Sequence, residues 1–179
     1  MGENRVKIAY HEAGHAVAAV VLGLEVEMAS IVPEGDILGH VVAPEPIDSS
    51  LECWIARATM LWCGPLAAQR HFGAFIDDGG SDDHESIDVF GDCAAIGAGE
   101  LGGFKEWTRA RAMSVLNANW SAVTAVALAL LEHDTLTGDE IRQLVAQVDD
   151  YAPVISIRPA TTSIGVAAAV QSTTEGGSE

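Results

Sequence analysis

Basic residues are scarce in this chain: nine Lys and Arg stand against 26 Asp and Glu, a formal net charge of -17 over 179 residues. Such an excess of negative charge repels phosphate backbones and anionic headgroups, so no nucleic-acid partner is expected and an anionic membrane surface is disfavoured. Long apolar runs are missing as well. The most apolar stretches, 16–24 and 125–131, fall well short of the ~20 residues a bilayer span requires, so no membrane span is expected. Cysteine is sparse and unpaired. Cys53, Cys63 and Cys93 make no Cys-x-x-Cys, which argues against a zinc knuckle or a disulfide framework and predicts buried thiols in a reducing compartment. The opening residues, Met-Gly-Glu-Asn-Arg, lack the organisation of a secretory signal, and the expected location is cytoplasmic. What the chain has in quantity is hydrophobic residues, 49% of the total, enough for one domain with a real core.

Against that background His11-Glu12-Ala13-Gly14-His15 stands out. Residues four apart on an α-helix are rotated by only roughly 40° about the axis, so both imidazoles project from one face and can share a metal ion. Glu12 lies one residue on, within reach of a water at an open coordination position. Two nitrogen ligands beside a carboxylate that can take a proton from water are the parts of a hydrolytic zinc site. The flanking residues Ile8, Ala9, Ala13, Ala16, Val17, Val20, Val21 and Leu24 carry a helical spacing, with Asn4 as N-cap and Gly23 as stop. Residues 16–22 are apolar all round, which predicts a helix inside the domain. Polar groups buried there need a partner, and a metal ion supplies one.

Downstream, 26–33 and 37–42 read as two short strands around the turn Pro33-Glu34-Gly35-Asp36. Asp48-Ser49-Ser50 then supplies an N-cap for a long helix over 51–72, which Pro65 should kink or break near Cys63-Gly64. A third helix is expected from Ser81 to about Ile96, then a Gly-rich stretch, 97–103. One or two helices follow over 104–132, and a last short one begins at Thr137-Gly138-Asp139-Glu140. The expected class is mainly α, a helical bundle with a short β-hairpin over residues 1–149, followed by a flexible Ser/Thr/Gly-rich tail, 150–179.

Two histidines do not complete a catalytic zinc site, and a third protein ligand is required. The acidic helix entry Gly79-Gly80-Ser81-Asp82-Asp83 offers one, although helix-start rules do not separate Asp83 from Asp82. Five blocks in order resemble the M41 peptidases, the proteolytic domain of FtsH-type proteases. They are Tyr10-His11-Glu12-Ala13-Gly14-His15-Ala16-Val17; Ile31-Val32-Pro33-Glu34-Gly35 with Leu38-Gly39; Cys63-Gly64-Pro65-Leu66-Ala67-Ala68-Gln69; Gly80-Ser81-Asp82-Asp83; and the run from Leu130 through Thr135-Leu136-Thr137-Gly138-Asp139-Glu140-Ile141. The resemblance implies a zinc metalloendopeptidase with His11, His15 and Asp83 as Zn2+ ligands and Glu12 as general base. It implies polypeptide substrates, presented along the strand near 37–40.

The departures carry information too. No Gly-x-x-x-x-Gly-Lys-Ser/Thr occurs, so the likeness is to the proteolytic part alone. Flexible or unfolded polypeptides are then the expected substrates, with a separate ATPase or activating protein as a possible partner. Ala68 and Gln69 replace the family's Glu-Glu pair, and His84 replaces an apolar residue. A metal-bound but catalytically idle interaction domain is the rival reading, against which the retention of Glu12 weighs. His40, His71 and His133 read as ordinary exposed histidines. Trp54, Trp62, Trp107 and Trp120 read as core, and Cys63 as an inert buried thiol.

Overall fold

A computed structural model describes residues 2–44, 50–73, 81–94, 97 and 99–148, with Ser81, Asp82 and His84 described by backbone alone. The described elements run α1 (Gly2–Val21), β1 (Met28–Ser30), β2 (His40–Val42), α2 (Leu51–Phe72), α3 (Ser81–Cys93), α4 (Leu101–Ala118), α5 (Trp120–His133), β3 (Thr135–Thr137) and α6 (Gly138–Ala146). The fold is mainly α, as expected, with a small sheet. The tail expected over 150–179 lies outside the described residues.

α1 is the central helix. From Ala9 to Ala19 all but one of its residues are buried, because small Ala side chains let α2 and α5 close on it from different sides. The contact with α2 is the tightest. A methyl group on Gly14 would stand 2.3 Å from the Cys63 carbonyl oxygen, so the two backbones meet where a Cβ has no room. The helix starts at Gly2, not after Asn4, which lies inside the first turns.

α2 spans the expected residues and is capped by Ser50, whose hydroxyl accepts from the Cys53 N–H at 3.3 Å. Pro65 does not break it. The lost N–H leaves only the Leu61 carbonyl without its helical donor, and packing on α1 outweighs that loss. The apolar pattern over 104–132 is two helices meeting at about 80°. Asn119 makes the corner: fully buried, it turns its Nδ2 back onto the Val115 carbonyl at 2.9 Å. α4 also begins earlier than expected, taking in Gly102 and Gly103. Among the described residues no single helix is long and apolar enough to cross a membrane.

The strands are shorter than expected, and the sheet has a third member. Its order is β2-β1-β3, antiparallel throughout, with Ala29 opposite both Val41 and Leu136. The turn between β1 and β2 holds a two-way backbone pairing of Glu34 with Ile37, at 2.9 and 3.1 Å. β3 runs straight into α6 through a capping box of Thr137 and Glu140. Its three residues are too few to read as a strand beside so strong a helix-start signal.

Two leucines of α5 test where the core lies. Leu130 is fully buried and Leu128 is 56% exposed. Leu130→Ala should cost about 2–5 kcal/mol in urea unfolding, while Leu128→Ala should stay within about 0.5 kcal/mol.

Candidate metal centre

Three electron-pair donors converge where α1, α2 and α3 meet. The Nε2 atoms of His11 and His15, one turn apart on α1, lie 3.0 Å from each other. Asp83 Oδ2, from the first turn of α3, lies 3.2 Å from the former and 3.4 Å from the latter. α2 provides the backing: His15 Nδ1 donates to the Met60 carbonyl at 2.9 Å. That bond leaves Nε2 of the neutral ring as an acceptor facing the other two. The arrangement brings together His11 and His15 of the pentad and Asp83 of the acidic helix entry; the Asp82 side chain lies outside the description.

Such a cluster is unfavourable by itself. Asp83 Oδ2 is buried with no hydrogen-bond partner in the structure, and two imidazole lone pairs point the same way. A cation placed among them would satisfy all three, and no other described His, Cys, Asp and Glu side chains form such a group. The donor set thus fits a divalent metal ion on its chemistry. Without a cation, protons must do the work. Burial opposes charge on His15, but the Asp83 carboxylate, the Glu12 carboxylate and the Met60 carbonyl together outweigh it and lift His15 to about 9. His11 goes the other way, its burial dominating the attraction of the nearby Asp83 carboxylate. Asp83 is held far below the usual carboxylate range: its burial acts upward, and the two histidines overcome it.

Glu12 is buried beside the cluster, and burial pushes its carboxyl up to about 7. It and the three donors line a cleft of about 390 Å³ whose opposite wall is the segment 36–41. Ile8, Ile37, Leu38, Val41, Met60 and Leu61 give this cleft an apolar lining. β2, whose His40 and Val41 line the cleft, forms one edge of the described sheet.

His40 also lines the cleft, where the sequence read an ordinary exposed histidine. The signal was its place directly after Leu38-Gly39, on the strand expected beside the site. Lys7 and Asn4 line it too, one and two turns before His11 on α1. His71 is exposed but stacked on Tyr10, with ring centroids 3.7 Å apart, and His133 is exposed beside Glu132. The His84 side chain lies outside the description. Cys63 is fully buried, and burial pushes its thiol well above the usual range, so it is inert as expected. Cys93, by contrast, is exposed. Trp107 is half exposed under the Arg111 guanidinium, not core. Ala68 and Gln69 do not line the cleft; Gln69 borders a separate groove between α2 and α4.

Fold and site together define a helical domain with a two-histidine, one-aspartate cluster at the wall of a cleft, of the kind that takes a divalent cation. A model of peptidase family M41 matches residues 1–90, from α1 into α3 and through all three donors. That is half of the chain, and the protein belongs to the M41 peptidase family.

A cation entering the pocket must displace the proton that His15 keeps up to about pH 9. The same proton stabilises the cation-free fold below the ordinary histidine value of 6.5, and this contribution is lost as pH rises through about 9. Zn2+ affinity, measured by chelator competition, should therefore rise with pH from 6.5 to 8.5, by up to roughly tenfold per unit. A flat profile would mean that His15 is neutral before the metal arrives.

Proposed function

We propose that this protein is a zinc-dependent endopeptidase that hydrolyses peptide bonds in flexible or unfolded polypeptides, a step that itself needs no ATP. The observation that carries this reading is the convergence of His11 Nε2, His15 Nε2 and Asp83 Oδ2 in a cleft that Glu12 also lines. Two nitrogens and one oxygen suit Zn2+, with room left in its coordination shell. When bound, the cation supplies a Lewis acid that acidifies water and polarises a carbonyl.

The protein's own residues account for the rest. Glu12, with its carboxyl lifted to about 7, takes the proton of the attacking water and returns it to the leaving amine nitrogen. His15 is held to its task by the Met60 carbonyl, which fixes the ring so that Nε2 faces the pocket. β2 offers an open edge on which an extended substrate adds as the next strand. Backbone hydrogen bonds made there fix the position of the chain without demanding a sequence. The apolar lining receives side chains on either side of the bond to be cut. A folded substrate cannot present such a strand, so unfolded polypeptide is the fitting substrate, and a separate ATPase is a fitting supplier of it.

Cleavage of casein by the zinc-loaded protein tests the reading. Glu12→Gln should retain one zinc per chain and lose about 10²–10⁴ of the rate, since only the proton acceptor is removed. A chelator should abolish the wild-type activity. One zinc per chain without cleavage would instead support a metal-bound interaction domain.

A further inference from the structure

Two glycines touch the functional side chains directly, one from α2 and one from the segment that leads into β2. A methyl group built on Gly64 would lie 2.1 Å from His15 Nε2, 2.4 Å from Cε1 and 2.7 Å from Cδ2. The imidazole therefore lies across the bare Cα of Gly64. Met60, one turn earlier on α2, holds the other edge of the ring through its carbonyl. One turn of α2 thus gives His15 both a hollow and an anchor, and the ring cannot retreat from an added methyl without giving up that hydrogen bond. On the opposite wall, a methyl on Gly39 would lie 2.8 Å from Glu12 Oε1, 3.0 Å from Glu12 Cγ and 2.7 Å from Ile8 Cγ2. Of the atoms met here, Glu12 Oε1 is the far end of a flexible side chain, whereas Ile8 Cγ2 is the branch methyl of a stiff β-branched residue on α1. A methyl at 39 is therefore relieved mainly by movement of the carboxylate.

We propose that Gly64 and Gly39 are positioning residues of the site, Gly64 for the donor His15 and Gly39 for the carboxylate of Glu12. The two act on separate functions. Gly64 sets whether Nε2 reaches the ion, and Gly39 sets where the proton acceptor stands relative to water and substrate. Only the Gly39 half rests on the peptidase reading.

The test for Gly64 is metal binding. Gly64→Ala should weaken Zn2+, measured by chelator competition, by about 10–100-fold, as loss of a ligand's supporting contact does elsewhere. Its cost in melting temperature should vanish in a His15→Ala background, where the hollow is empty. That cycle decides the matter even if Gly64→Ala alone does not fold. Unchanged Zn2+ affinity, or an equal cost with and without the imidazole, would overturn the assignment. For Gly39, Gly39→Ala should leave zinc affinity unchanged and lower kcat by up to about 100-fold, far more than it raises KM, the scale of a misplaced catalytic group. Adding Ile8→Ala removes the other contact and should not restore kcat; restoration would place the effect on Ile8 and refute the role. A wild-type protein that binds zinc but cleaves nothing would overturn the peptidase reading and the Gly39 half together, leaving Gly64 to be decided by zinc affinity.

Discussion

The close contact of α1 with α2 is the constraint from which the rest of the molecule follows. Where Gly14 meets the Cys63 carbonyl, the two backbones approach too closely for any Cβ, and helices so placed have little freedom to slide. His15 is the next residue on α1, and Met60 and Gly64 lie on the facing turn of α2. The packing that stabilises the core therefore also aims the His15 imidazole. A site on two tightly packed helices is more rigid than one assembled from loops, and metal ligands require that rigidity.

The same arrangement explains why charged groups are tolerated in the interior. Glu12, His15 and Asp83 are each costly when buried alone, yet they are placed so that each answers another. Asp83 reaches the pair only because α3 begins there, which puts an aspartate in a helical first turn where negative charge is also favoured by the helix dipole. Its orphaned oxygen marks the place where the protein's own hydrogen bonding stops and a cation would complete it.

Much of this could be read from the chain. The His11–His15 spacing, the Asp48-Ser49-Ser50 signal ahead of α2 and the Gly80-Ser81-Asp82-Asp83 signal ahead of α3 are local, and local signals survive folding. What could not be read was set by contacts distant in sequence. Pro65 left a kink and a break both open, and burial against α1 keeps α2 continuous. Asn119 carried no obvious corner signal, since its effect depends on being buried and bonding backward to Val115. His40 looked idle because its significance lies in the wall it shares with α1, not in its neighbours along the chain. The match to family M41 ends at residue 90, so everything from α4 onward rests on its own packing logic.

β3 has a further consequence, for the order in which the molecule assembles. It pairs with β1 across a large separation: Ser30 and Thr135, joined through their hydroxyls at 2.9 Å, are 105 residues apart in sequence. Contacts of such long range are slow to form, because a long loop must close before they contribute. On a ribosome, β1 and β2 emerge well before β3 exists, and until it arrives β1 offers an open edge to any passing strand. The wall of the cleft thus reaches its final sheet only after almost all of the helical domain has been synthesised. The three-stranded sheet, and with it the backing of the wall that His40 and Val41 share with α1, is therefore among the last parts of the described fold to form.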